Sequence, residues 1–89
     1  MAKKVIERIR QQVIEHCYDI SNHALEEAAD DEFDIFDVET ALLTGEIIRK
    51  YYNDPRGTRY EILGMANDHE RHIAVVGWFR GDKIFRIIT

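Results

Sequence analysis

The chain has 89 residues, 45% of them apolar, with one proline, five glycines and one cysteine. This is room for a single domain around one core, and it argues against disorder. The formal charge of −5 divides into −7 over residues 1–45 (4 basic, 11 acidic) and +2 over residues 46–89 (8 basic, 6 acidic), which excludes strong phosphate binding over the whole surface but leaves room for a locally basic second half.

A lone Cys17 excludes an intramolecular disulfide and a cysteine-based zinc site. Met1-Ala2-Lys3-Lys4 opens on charge rather than on a signal-like apolar stretch, and no run reaches the roughly 18 apolar residues a membrane span needs. The expected setting is the cytoplasm, with no membrane partner.

In chain order, Val5, Ile9 and Val13 form one apolar stripe with charged residues opposite, predicting a helix over about 2–16. Tyr18-Asp19-Ile20 then runs extended. Ser21 or Asn22 is positioned to cap a second helix over about 22–30. Asp34, with Asp37 three residues on, forms a weak capping box for a third over about 35–44, and Gly45 stands where a left-handed helix end is favoured.

Beyond Gly45 the period changes to that of strands, predicted over about 46–53, 59–66, 72–79 and 83–89. Asn53-Asp54-Pro55-Arg56-Gly57, Asn67-Asp68-His69-Glu70 and Gly81-Asp82 supply the turns. Such short connections imply antiparallel hairpins. The expected architecture is a single α+β domain with N-terminal helices packed on a curved four-stranded antiparallel sheet.

Four groups of residues could carry chemistry. Glu26, Glu27, Asp30, Asp31, Glu32, Asp34, Asp37 and Glu39 follow one another with no basic residue among them. They read either as a docking face for a basic partner or as a solvated surface partly explained by helix dipoles. Calcium-loop alternation is absent, and His16, His23, His69 and His72 form no zinc spacing, so neither metal nor cofactor is expected.

His23, at a helix start, reads as a backbone-bonded histidine or as a general acid or base. Arg86, between Phe85 and Ile87, needs either a carboxylate partner or a phosphate for its planar fork. Tyrosines and Trp78 beside arginines are able to stack a base where exposed.

Taken together, Ile20-Ser21-Asn22-His23-Ala24-Leu25, the run Asp37-Val38-Glu39-Thr40-Ala41-Leu42 through Ile48, Tyr52 through Tyr60, Arg71-His72-Ile73-Ala74-Val75-Val76 and the ending Phe85-Arg86-Ile87-Ile88-Thr89 resemble the bacterial family of domains of unknown function DUF4258. That family looks related to the BrnT, MqsR and RelE toxins of toxin–antitoxin pairs. The resemblance implies a metal-independent RNA endonuclease, an mRNA interferase, acting on RNA or at the ribosome and neutralised by a cognate antitoxin.

His23 matches the family's Ser-x-His-Ala element and is the candidate acid or base. Arg71 and Arg86 are assigned to phosphate stabilisation and Tyr60 to a supporting catalytic role, with Arg56, Arg59 and Lys83 in RNA binding. Glu27 and Asp31 stand where relatives carry arginine, reversing the local charge. The alternative is therefore a non-catalytic protein-binding module, or an inactive member acting through its acidic helical segment. A homodimer joined through sheet edges is a blander option.

Overall fold

A computed structural model describes residues 4–53, 55, 57–80 and 84–88. The first helix, α1, spans Val5–Ile14 and buries Ile9 and Val13, the inner line of its apolar stripe. It stops before the predicted His16, which takes a positive φ of 57°. The backbone N–H of Cys17 returns to the Gln12 carbonyl at 2.8 Å.

Tyr18–Ile20 forms a strand, β1, and leads into α2 (Asn22–Asp30). The Ser21 hydroxyl accepts from the Ala24 N–H at 3.1 Å, the expected N-cap bond. Helix α3 (Ile35–Thr44) is opened by a complete capping box, in which Asp34 accepts from the Asp37 N–H and Asp37 from the Asp34 N–H.

Gly45 follows α3 but not in the expected left-handed conformation. Its φ of −85° and ψ of 176° are extended. A Cβ there would stand 2.5 Å from the Ala41 carbonyl oxygen, 2.7 Å from Ile62 Cγ2 and 2.8 Å from the Leu63 carbonyl oxygen, so crowding by the last turn of α3 and by the sheet, rather than a left-handed cap, requires glycine.

The remaining strands are β2 (Glu46–Tyr51), β3 (Arg59–Met65), β4 (His72–Arg80) and β5 (Ile84–Ile87). The predicted first strand ends two residues early and the third continues to Arg80. The Gly81-Asp82 turn, Arg56, Lys83 and Thr89 lie outside the described residues.

The four-stranded antiparallel expectation is corrected: the sheet has five strands in the order β1-β5-β4-β3-β2 and is mixed. β1 pairs parallel with β5, setting Tyr18, Asp19 and Ile20 opposite Phe85, Arg86 and Ile87. The other three pairings are antiparallel. The α+β class holds. Three residues are too few to display a period. What recruits β1 is the alternation of Tyr18 and Ile20, which places both over the same apolar face as Phe85 and Ile87.

Helices cover one sheet face. Between the layers lie Ile9, Val13, Val38, Leu42, Ile62, Val75, Phe85 and Ile87. Edge-to-face contacts run from Tyr60 to Phe79 (6.2 Å between centroids) and on to Phe85 (5.2 Å), with the Arg8 guanidinium 4.5 Å over Phe79. The other sheet face is open and carries Asp19, Arg86, Trp78, Arg80, Glu61 and Arg59 by alternation.

Candidate functional site

The predicted catalytic residues sit on separate parts of the molecule. His23 lies in the first turn of α2, exposed, with Nε2 2.9 Å from Glu27 Oε1. Arg71, just before β4, donates from Nε to Asp68 Oδ2 at 2.7 Å, stacks 4.4 Å over Phe33 and reaches the Asp31 carbonyl at 3.4 Å. It therefore clamps the β3–β4 turn to the far end of α2, about 12 Å along the helix from His23 at 1.5 Å per residue.

The same turn holds the Asp68 carboxyl far below the usual carboxylate range. The causes are the Arg71 backbone N–H first, then its guanidinium and the Glu70 N–H.

Arg86 lies on the open face, where Asp19 takes both it (3.1 Å) and Arg80 (3.3 Å) on its two oxygens. Tyr60 faces the helices among Phe79 and Phe85, on the opposite side of the sheet from Arg86. Arg59 is on the open face beside Tyr51. Arg56 and Lys83 lie outside the described residues. His23, Arg71, Tyr60 and Arg86 are thus not brought to one groove, and His23, Arg71 and Arg86 meet three different carboxylates.

The acidic run divides in two. Asp34 and Asp37 cap α3, and Glu39 accepts from the Tyr18 hydroxyl at 2.6 Å, so these carboxylates serve the fold. Burial, then the Glu39 bond and charge, push the Tyr18 phenol well above its ordinary value. Glu26, Glu27, Asp30, Asp31 and Glu32 are exposed on α2 and its C-terminal turn. Among the described residues, no lysine or arginine side chain is ion-paired to Glu26, Asp30, Asp31 or Glu32.

Beside α2 opens a cleft of about 250 Å³. Its floor is apolar, with Ala24, Ala28, Phe33, Val75 and Ile87, and Glu27 and Asp31 stand in its lining. An apolar floor edged by carboxylates suits a side chain or segment that is apolar along its length and cationic at its margin. Sequence reasoning finds the acidic residues but not the cleft, because α2 and β4 are far apart in the chain. It misses Asp19 as well; the position of that residue between two inward-facing ones is the available signal.

Among the described residues, no group of three or more histidine, cysteine, aspartate or glutamate side chains is placed to hold a metal ion. Nor is any helix among them long and apolar enough to cross a membrane.

The family model described as a domain of unknown function, DUF4258, matches residues 20–89. The match covers most of the chain, which therefore belongs to that family. No curated protein and no solved structure matches it.

Proposed function

We propose that this member of the DUF4258 family is a cytoplasmic protein-binding module whose α2 cleft takes a basic, amphipathic segment of a partner protein. The observation that carries this reading is an apolar floor with the carboxylates of Glu27 and Asp31 in its lining, on a helix and turn that also expose Glu26, Asp30 and Glu32. Apolar side chains supply the affinity, and the carboxylates supply orientation and on-rate.

The test is a titration with a synthetic Leu/Lys amphipathic peptide followed by amide NMR shifts. Saturable shifts are expected at Ala24, Ala28 and Val75, weakening as salt rises. Glu27→Lys with Asp31→Lys should lower affinity about tenfold, because two attractive charges at the rim become repulsive ones. Shifts that never saturate, or a double variant that binds as well as the parent, would count against the reading.

A second reading keeps the kinship with the BrnT, MqsR and RelE toxins: a bacterial metal-independent RNA endonuclease, held by an antitoxin. What favours it is the open sheet face, where Arg59, Arg80 and Arg86 lie near Trp78. On this reading Asp19 is the brake, since it occupies both Arg80 and Arg86. Asp19→Asn then strengthens binding to single-stranded RNA several-fold and steepens its salt dependence, with a stability change below about 1 kcal/mol because the pairs are half-exposed.

Expression without a partner should also arrest bacterial growth, and His23→Ala or Arg86→Ala should relieve the arrest. Unimpaired growth with abundant soluble protein, and an Asp19→Asn variant blind to RNA, would remove this second reading.

A further inference from the structure

The molecule has a second concavity of opposite character, on the far edge of the sheet. A groove of about 610 Å³ runs between α1 and β2. Val5, Ile6 and Ile47 give it an apolar lining, and Lys4, Arg10 and Lys50 bring three positive charges to it. Arg10 donates from Nη2 to the Gly45 carbonyl at 2.9 Å, a neutral acceptor, and its Nε is buried without a hydrogen-bond partner.

Among the described residues, no carboxylate is ion-paired to Lys4, Arg10 or Lys50. Arg71, Arg80 and Arg86 by contrast each have one. Glu46, also in the lining, offsets one of the three charges and leaves an excess of positive charge.

The groove borders a strand that has β3 on one side and, among the described residues, no strand on the other. An open edge offers backbone donors and acceptors to an incoming strand. The register shift between Ile47 and Arg49 interrupts that edge, which limits indiscriminate pairing and leaves selection to the groove's side chains.

We propose that this groove binds an extended acidic peptide segment that adds to β2 as a sixth strand, seating apolar side chains on Val5, Ile6 and Ile47 and carboxylates against Lys4, Arg10 and Lys50. Charge complementarity names the occupant: a basic, amphipathic segment suited to the α2 cleft would be repelled here. The two surfaces thus sort partners by sign, and this site does not depend on the first.

The probe is a capped peptide with valine and glutamate at alternate same-face positions and threonine between them (Val-Thr-Glu-Thr-Val-Thr-Glu), because Ile47 and Lys50 both lie on the helix side of β2. It is compared with its lysine counterpart and with a form N-methylated on alternate amides. Amide NMR titration should give saturable shifts confined to residues 5–10 and 46–51. The lysine peptide should give none at these residues, and the N-methylated form should bind at least about tenfold more weakly because its strand bonds are blocked. Lys4→Glu with Lys50→Glu alters two exposed positions and should fold normally, with unshifted amides elsewhere in the sheet, while losing about tenfold in affinity. Absence of saturable shifts, shifts centred on α2, equal binding of the N-methylated peptide, or undiminished binding by the double variant would each overturn the proposal.

Discussion

Asp37→Ala lowers the stability of the domain by about 3 kcal/mol, the loss of two hydrogen bonds to a charged acceptor at roughly 1.5 kcal/mol or more each. Asp37 is 8% exposed, the only buried charged side chain among the described residues. One oxygen accepts from the Asp34 N–H at 2.9 Å, closing the box that starts α3. The other accepts from the Asn67 N–H at 2.9 Å, fastening the β3–β4 turn to that helix. Alanine leaves both donors without their acceptor. At about 4–8 °C per kcal/mol for a domain of this size, thermal unfolding should shift down by about 15 °C.

The same geometry fixes a pH dependence. The Asp34 N–H first, then the Asn67 N–H, hold the Asp37 carboxyl below the usual carboxylate range, against the upward push of burial and with help from nearby Arg71. Its folded value therefore lies below its unfolded one. The stabilisation is complete above the unfolded value of about 3.9 and disappears as pH falls through the lower folded value. The gap in stability between the parent and Asp37→Asn, which cannot ionise, should be constant near neutrality and narrow below about pH 4. Urea midpoints across pH 2–7 measure it, and a gap independent of pH, or a Tm within a degree or two for Asp37→Ala, would contradict the assignment.

Features that one segment could declare are legible in the sequence alone. The Val5, Ile9, Val13 stripe is a property of a single helix, and Ile9 and Val13 are the residues it buries. The box of Asp34 and Asp37 is local to four residues and forms as its spacing implies. What escapes needs two segments at once. Tyr18-Asp19-Ile20 is too short for a strand signature and becomes one only because β5 offers Phe85 and Ile87 on the same face. That pairing then decides the fate of Arg86, since it brings Asp19 alongside and turns a free-looking cation into half of an ion pair.

The candidate sites follow the same division. The acidic residues of α2 are visible in the sequence, whereas the apolar floor that makes them useful is assembled from α2, β4 and β5. The groove of Lys4, Arg10 and Lys50 joins residues from the first helix and the second strand, two segments that composition counts in halves of opposite charge. Net charge by halves describes the chain; the surface is sorted by which elements the core draws together.

Among the described glycines, Gly64 is the one where an added methyl should be most damaging. Gly64 is buried in β3 opposite Ile73, and a Cβ on it would overlap the Ala41 carbonyl oxygen and stand 2.7 Å and 2.8 Å from the Ala41 carbonyl carbon and Cα. These are backbone atoms in the middle of α3, so no rotamer change relieves the overlap. The helix cannot tilt away cheaply either. Asp37 holds one end to Asn67, and at the other the Thr44 hydroxyl accepts from the Met65 N–H at 3.3 Å. Overpacking a core usually costs about 1–3 kcal/mol and more where neighbours cannot move; here the loss should exceed about 3 kcal/mol, a large share of the stability of a domain this size.

Two companions separate clash from general glycine loss. Gly57→Ala, at a φ of 126° with nothing within 4 Å of the added carbon, should cost only the backbone strain, on the order of 1 kcal/mol. Ala41→Gly combined with Gly64→Ala should give no rescue, because the obstacle is the main chain of residue 41 and the helix loses about 1 kcal/mol more. Rescue by that double variant would place the obstruction in a side chain and refute the close packing of α3 on β3.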